Sequence, residues 1–250
     1  MSINNRFQKF LLAKKVKTLI CCVMLVITSP VSYAAFTYAP YVGVEAGVRY
    51  MPFKKNFGNN LVQNTYPTAN IFVGLRVNDY LGLELGVATT STRTRSTLLL
   101  GRDTYFGNIL DPLNPLLFYN FTTKTQLQGF NASILGFYPI CEDGLLDLFA
   151  ALGFSYQRLK IKNIMKEAES TPLNPPDEIA FSKNKPILAV RLGAQSLFCD
   201  SLGVRASVGF ENTKQFHNLT PKGSPNSLLR ASLRNSLEAR VGVFYQFMPY

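Results

Sequence analysis

The sequence predicts an all-β fold, a closed eight-stranded antiparallel transmembrane β-barrel preceded by a cleaved signal peptide. Eight short segments alternate apolar and polar residues with period two, and one face of each carries no charge. The connections between these segments alternate between long and short. The mature chain has no run of the ~20 apolar residues that a spanning helix needs, and a closed barrel is the other fold that satisfies every backbone group in lipid.

The alternation is clearest over residues 69–89, on both sides of a turn at 78–80. One register is apolar throughout: Ala69, Ile71, Val73, Leu75, Val77, Leu81, Leu83, Leu85 and Val87. The other is mostly small or polar: Asn70, Phe72, Gly74, Arg76, Gly82, Glu84 and Gly86. Period two puts these sets on opposite faces of a strand, as in a barrel with lipid outside and a polar lumen inside.

The remaining strands follow the same pattern. They are expected at about 41–51, 126–138, 146–158, 186–197, 202–211 and 237–247. Long loops are expected at 52–66, 90–124, 159–185 and 212–235. Strand 126–138 is the least regular, because Leu135 and Phe137 would point inward and Gln128 outward, which allows a bulge. A soluble sandwich also alternates, but its loops need not alternate in length, whereas a membrane barrel has short periplasmic turns and long external loops.

Aromatic residues fall at both ends of the predicted strands. Tyr50, Tyr156 and Phe210 lie at the loop ends. Tyr80, Tyr138, Tyr245 and Phe247 lie at the turn ends. Two aromatic girdles, one for each membrane interface, are typical of transmembrane barrels.

The N-terminus predicts an export signal over residues 1–34, followed by a barrel domain over 35–250. A basic region without acids precedes the apolar stretch Leu19–Thr28, and Pro30 and Ala34 suit a cleavage site after residue 34. The alternative, a membrane anchor helix, would need a longer apolar stretch. Removing 1–34 takes away five basic residues and no acids, so the formal charge falls from +11 to +6.

Ten charged residues fall in the lumen register, five of each sign. They are Glu45, Arg49, Arg76, Glu84, Asp147, Arg191, Arg205, Glu211, Glu238 and Arg240. An isolated buried charge is costly, whereas opposite charges can pair across a narrow lumen, and eight strands leave a space that side chains just fill. We therefore expect an interlocking structural network; an ion-conducting path and a wrong register are the alternatives.

The remaining charge is distributed unevenly. The short turns carry acids, namely Asp79, Glu142, Asp143 and Asp200, whereas the four long loops are basic, with Lys214, Lys222, Arg230 and Arg234 in the last. Basic loops suit lipopolysaccharide phosphates or acidic host glycans, or form a solvated rim beside anionic lipid. No nucleic-acid motif or aromatic interleaving is present, so no nucleic-acid partner is expected.

Few residues suggest chemistry. Cys141 and Cys199 fall in short turns on one side, where an oxidising compartment permits a disulfide; free or intermolecular thiols are the alternative. The single histidine, His217, lies in the fourth loop. The sequence has no metal-ligand cluster or phosphate-binding glycine loop, so we expect no catalytic, cofactor or metal site. Apolar residues at 98–100 and 116–119 form either an interaction patch or an extension of the strands above the membrane.

Residues 73–86 resemble the hairpin of the eight-stranded outer-membrane barrels of the OmpA, OmpX and opacity-protein type, and residues 202–210 repeat the style. The resemblance implies the outer membrane of a Gram-negative bacterium, and such barrels include anchors, adhesins and a few enzymes. It also implies recognition of a terminal aromatic residue, Phe247 or Tyr250, by the barrel-assembly machinery. The lipid-deacylase pattern His-x-Ser is not met at His217, which Asn218 and Leu219 follow.

The sequence thus predicts a non-catalytic barrel with a structural or adhesin-like surface role through its basic loops. Outer-membrane lipid and lipopolysaccharide, the assembly machinery and a host or surface ligand are the expected partners. A lipid-modifying enzyme, a narrow pore and a soluble secreted β-protein are the alternatives.

Overall fold

The computed structural model describes most of the chain beyond residue 37. The described ranges are 38–54, 61–105, 108–140, 146–167, 177–198, 201–222, 229 and 231–247. The predicted signal peptide and both mature cysteines, Cys141 and Cys199, lie outside them. Within these ranges, no helix is long and apolar enough to cross a membrane.

Strands make up nearly all of the regular structure. They are β1 Ala39–Tyr50, β2 Thr65–Arg76, β3 Leu81–Thr90, β4 Arg93–Leu100, β5 Thr104–Tyr105, β6 Asn108–Ile109, β7 Phe118–Pro139, β8 Leu146–Glu167, β9 Asp177–Leu197, β10 Leu202–Glu211 and β11 Ser236–Gln246. A 3₁₀ turn spans Thr213–Gln215.

Eight of these strands form a closed antiparallel ring, which confirms the predicted fold. The order is β1, β2, β3, β7, β8, β9, β10 and β11, and β11 pairs with β1 to close it. Strand β4 continues beyond β3 and pairs with the upper half of β7, from Arg93 opposite Thr125 to Leu100 opposite Phe118. The small hairpin β5–β6 forms a separate two-stranded sheet.

The ring residues alternate between the outer and inner faces, as the sequence pattern predicts. Val73, Val190 and Val208 are exposed on the outer face, whereas Arg205 is 3% exposed and points inward. Strand β7 keeps an unbroken register with β8 from Tyr119 to Pro139, so the bulge that the sequence allowed in strand 126–138 is absent from this pairing. Leu135 and Phe137 do point inward, where they pack with Phe149 and Ala151 at the turn end of the lumen.

Strands β7, β8 and β9 are about ten residues longer than predicted, so much of the expected loops 90–124 and 159–185 is sheet. We call this added wall the extension; it comprises β4, residues 118–128 of β7, 158–167 of β8 and 177–187 of β9. Its inner face and the connecting segments share one apolar core. That core includes Met51, Leu61, Tyr66, Leu99, Phe121, Leu159, Ile161, Phe181, Phe216 and Leu233.

The interior therefore has three layers along the barrel axis. Aromatic and apolar side chains fill the turn end, and the charged residues fill the middle. The apolar core of the extension covers the opposite end. One candidate site lies in the charged middle layer of the lumen, and a second lies in the wall of the extension.

Candidate functional site

The structure brings together all ten charged residues of the predicted lumen network. Each forms at least one ion pair within 4.0 Å with another member. Their positions follow from period two: strand after strand places one or two charges on its inward face. Because opposite charges compensate each other, the buried arrangement avoids an isolated ion in the lumen.

Arg205 on β10 is the centre of this network. Its Nε lies 2.5 Å from Glu45 on β1, and its Nη1 lies 2.6 Å from Glu84 on β3, so one guanidinium spans the lumen. The guanidinium carbon also lies 3.6 Å from the ring centroid of Phe72. Arg191 adds a 2.8 Å contact to Glu84. The planar fork of arginine suits such two-sided pairing.

Two smaller groups extend the network along the axis. Toward the extension, Arg49 lies 3.0 Å from both Glu211 and Glu238, and Arg240 lies 2.6 Å from Glu238. Toward the turns, Arg76 lies 2.6 Å from Asp147. Each lumen carboxylate is thus already paired with an arginine. The network therefore neutralises the buried charges and fills the lumen.

A second candidate site lies in the wall of the extension. Strand β10 ends at Glu211, so residues 178–188 of β9 have no neighbouring strand on that side among the described residues. Residues 217–222 run past this edge instead. Between the edge and this segment lies a cavity of about 530 Å³.

This cavity, called the lysine cavity below, is lined by basic and polar residues. They are Ser182, Lys183, Lys185, His217, Asn218, Leu219, Thr220, Pro221 and Lys222. The lining contains no acid. Within the described part of the chain, none of its three lysines forms an ion pair. Lysine ammonium groups are donors without acceptor capacity, so the cavity suits an anionic group.

The local sequence fixes both walls of the cavity. Lys183 and Lys185 share the inward register of Phe181 and Ile187, which belong to the apolar core. Opposite them, Leu219 is buried in that core.

Backbone bonds hold the second wall. The backbone N–H and C=O of Leu219 pair with those of Ala231, and the N–H of Lys222 donates to Ala180 O at 2.7 Å. Asn218 turns the segment with φ of 49°, a left-handed conformation that asparagine tolerates better than most residues.

His217 does not form the pair that a hydroxyl nucleophile needs. It is exposed, and its Nδ1 lies 3.3 Å from the carbonyl oxygen of Lys214. In the described segments, no hydroxyl lies within hydrogen-bond reach of its ring. The same segments contain no cluster of three His, Cys, Asp or Glu side chains that could hold a metal ion.

The apolar residues of the second loop are divided between core and surface. Leu99 and Tyr119 are buried in the core of the extension, whereas Leu98 and Leu116 are 57% and 71% exposed. The Tyr119 hydroxyl donates to Asp111 at 2.6 Å. That bond, followed by one from the Asn114 amide, lowers the pKa of Asp111 below its ordinary value.

Reasoning from the sequence missed Lys183 and Lys185, because it placed them in a loop. The local signal is weak, because residues 182–186 are polar on both faces apart from Pro186; the two lysines share only their parity with Phe181 and Ile187. Lys222 and His217 were noted as loop residues without a shared site.

A family model described as the outer membrane protein beta-barrel domain matches residues 19–247. No curated protein matches the chain. Among solved structures, neisserial surface protein A is 13% identical with a TM-score of 0.49, covering 84% of this chain and 99% of its own. A major outer membrane protein of Thermus thermophilus is 14% identical with a TM-score of 0.49, covering 84% and 99%.

Ail, the attachment invasion locus protein of Yersinia pestis, is 13% identical with a TM-score of 0.45, covering 85% of this chain and 99% of its own. Its structure is a complex with the heparin analogue sucrose octasulfate.

Proposed function

The chain belongs to the outer membrane protein β-barrel family, and from that premise we propose that it is a non-catalytic surface-interaction protein that binds anionic ligands through the lysine cavity. The outer membrane is its location. The transmembrane ring anchors the extension, and the extension presents the cavity to the exterior. A sulfate, phosphate or carboxylate carried by a surface or host saccharide is the class of group the cavity would hold.

The unpaired lysines of the cavity are the observation that supports this proposal. Lys183, Lys185 and Lys222 converge on one space of about 530 Å³ that no acid lines. Like charges held together raise each other's free energy, and an anion between them relieves that repulsion. The backbone anchors of residues 219 and 222 hold the cavity open, so little ordering would accompany binding.

Lysine on an exposed strand edge has a second explanation, because it also discourages edge-to-edge association. Pro186 on the same strand would serve that purpose as well. Edge protection requires neither a cavity nor a contribution from the opposite segment. Lys222 comes from that segment, and this favours a ligand.

Two alternatives find less support. A conducting pore would need a water path, whereas paired arginines and carboxylates occupy the lumen and an apolar core covers one end. A lipid-modifying enzyme would need a base beside a hydroxyl, and His217 faces a backbone carbonyl instead. Assembly through Phe247 or Tyr250 stays a prediction.

The test is binding of a sulfated tetrasaccharide to the full chain in detergent micelles, measured by calorimetry. The variant Lys183→Ser/Lys185→Ser/Lys222→Ser should lose roughly a hundredfold in affinity, at about 1 kcal/mol for each cation–anion contact in this exposed setting. The desulfated tetrasaccharide should bind weakly to either protein. Binding to the original chain should weaken as salt rises.

The matched control is Lys124→Ser/Arg158→Ser/Lys160→Ser. It also removes three positive charges, but from the outer wall of the extension rather than from the cavity. It should keep its affinity within about threefold, because these side chains lie on the opposite face of the sheet from Lys183 and Lys185. Among the described hydrogen bonds, their one contact with the lining is that of Arg158 Nε with Ser182 Oγ at 3.2 Å. Equal losses in the two variants would overturn the proposal and leave only a general effect of net charge.

A further inference from the structure

A column of cations runs up the outer wall of the extension. Arg158, Lys160 and Lys162 occupy successive outward positions of β8, and Lys124 occupies one on β7. We call these four residues the basic column. They point away from the barrel, on the opposite face from Leu159 and Ile161 in the apolar core.

The column places like charges side by side. Lys124 is directly opposite Lys162 in the β7–β8 register, and such cross-strand pairs bring the Cβ atoms to about 5 Å and are destabilising. Glu178, 2.8 Å from Lys162, is the one acid among the described outward side chains of β4 and of β7–β9 in the extension. Lys124, Arg158 and Lys160 form no ion pair within the described residues.

The column begins at the membrane boundary. Tyr156, an exposed member of the aromatic girdle, is the outward residue immediately before Arg158. Two residues of a strand tilted by about 40° rise roughly 5 Å along the membrane normal. Arg158 and Lys160 therefore lie about 5 and 10 Å above the girdle, at the height of lipid headgroups.

Below the column, the apolar wall has a depression of about 630 Å³. Its floor is a row of residues opposite one another across five strands: Val73, Leu85, Ala132, Phe154 and Leu188. Ala132 is the smallest of these side chains, and larger residues surround it. It lies four residues from Gln128, the partner of Arg158, a distance of roughly 14 Å along the strand.

We propose that the basic column and this depression together form a site for one phosphorylated, acylated glycolipid of the outer leaflet, the lipid A part of lipopolysaccharide. The phosphates contact Arg158, Lys160 and Lys124, and an acyl chain lies over Ala132. Strands β1, β10 and β11 end near the aromatic girdle and carry no outward charge, so the site occupies one side of the barrel. It shares no residue with the lysine cavity, and the two adjoin where Arg158 Nε donates to Ser182 Oγ at 3.2 Å.

The test is native mass spectrometry of the full chain in detergent with three added lipids. They are bis-phosphorylated hexa-acyl lipid A, the same lipid after phosphatase treatment, and phosphatidylglycerol. The original chain should retain one bis-phosphorylated lipid A in preference to the other two. The variant Lys124→Ser/Arg158→Ser/Lys160→Ser should bind it roughly a hundredfold more weakly, at about fivefold for each cation near a charged lipid surface.

The cavity variant Lys183→Ser/Lys185→Ser/Lys222→Ser is the control of equal charge and should bind lipid A within about threefold of the original chain. A second pair tests the depression. Ala132→Phe should weaken binding about tenfold, because its ring displaces roughly two methylene groups of the chain, whereas Ala206→Phe on the opposite wall should not. Altered gel mobility without boiling reports whether each variant is folded. The single variant Arg158→Ser should still lose about fivefold in affinity for lipid A.

Equal affinity for phosphatidylglycerol would overturn the proposal in favour of general attraction to anionic lipid. Undiminished binding of dephosphorylated lipid A, or equal losses in the two triple variants, would also overturn it. None of these results bears on the sulfated tetrasaccharide, so the two proposals fail separately.

Discussion

The transmembrane ring and the extension share strands β7, β8 and β9 but are opposite in polarity. On β8, Tyr156 points outward and Gln157 inward; one step higher, Arg158 points outward and Leu159 inward. The β8–β9 register continues through this point without interruption. The exchange of polar and apolar faces is therefore a change in side chains alone.

The difference shows that the surrounding medium decides which face is apolar. Around the ring, the medium is hydrocarbon, so apolar side chains lie outside and charges must pair inside. Around the extension, the medium is water, so the apolar side chains are enclosed and the basic column lies outside. The lumen network and the apolar core thus perform the same task, filling the interior, by different chemistry.

The largest expected effect separates a buried ion pair from an exposed one. Arg205→Leu should lower the free energy of unfolding by about 3–5 kcal/mol, because it leaves Glu45 and Glu84 without their central partner. Lys162→Leu breaks the exposed pair with Glu178 and should cost less than about 1 kcal/mol. The chain has no tryptophan, so urea unfolding in lipid vesicles would be followed by far-ultraviolet circular dichroism. Equal costs would contradict the lumen network.

The next effect compares the two outer faces. Ala206 lies midway among the outward residues of β10, and Ala206→Arg should cost about 2–4 kcal/mol because it moves a charge into the middle of the bilayer. Asn120→Arg, on the exposed outer face of the extension, should change stability by less than about 0.5 kcal/mol. The same urea titration measures both. A tolerated arginine at 206 would mean that hydrocarbon does not contact this wall.

The smallest effect concerns the tip of the extension. The Tyr119 hydroxyl stabilises the Asp111 carboxylate, so the pKa of Asp111 lies below its unfolded value. The resulting stability is present above the unfolded pKa and is lost as the pH falls through the folded pKa.

Hydrogen exchange across residues 100–118 should therefore rise on acidification, after correction for the intrinsic rate, while exchange in β10 should not. Asp111→Asn should exchange faster at neutral pH and should lose this pH response. An unchanged response in that variant would assign it to another group.

Much of the ring could be predicted because two rules acted together on short segments. Period two assigned Val73 and Arg76 to opposite faces, and the absence of charge on one face identified that face as the outer one. The strand ends of β10 were predicted to the residue for the same reason. The inward direction of Leu135 and Phe137 was also predicted correctly, although apolar residues on the inward face had allowed a bulge there.

The prediction of a loop over 159–185 was wrong, because it assumed that the apolar face of every strand points outward. Leu159, Ile161, Ile179 and Phe181 alternate with charged or small residues, as in the ring, but these apolar residues point inward. A rule that requires an apolar outer face assigns residues 159–167 and 177–185 to a charged loop. The lysine cavity was missed with them, since it exists only where β9 extends past the end of β10.

The sequence by itself determined the number of ring strands, the face on which each ring residue lies and the identity of the ten lumen charges. It could do so because side-chain alternation is a local property of each strand. The tertiary structure alone decided which charges meet, how far three strands rise above the membrane, and where lysines from distant segments face one cavity. Those features depend on which strands lie side by side at a given height, and period two carries no information about height.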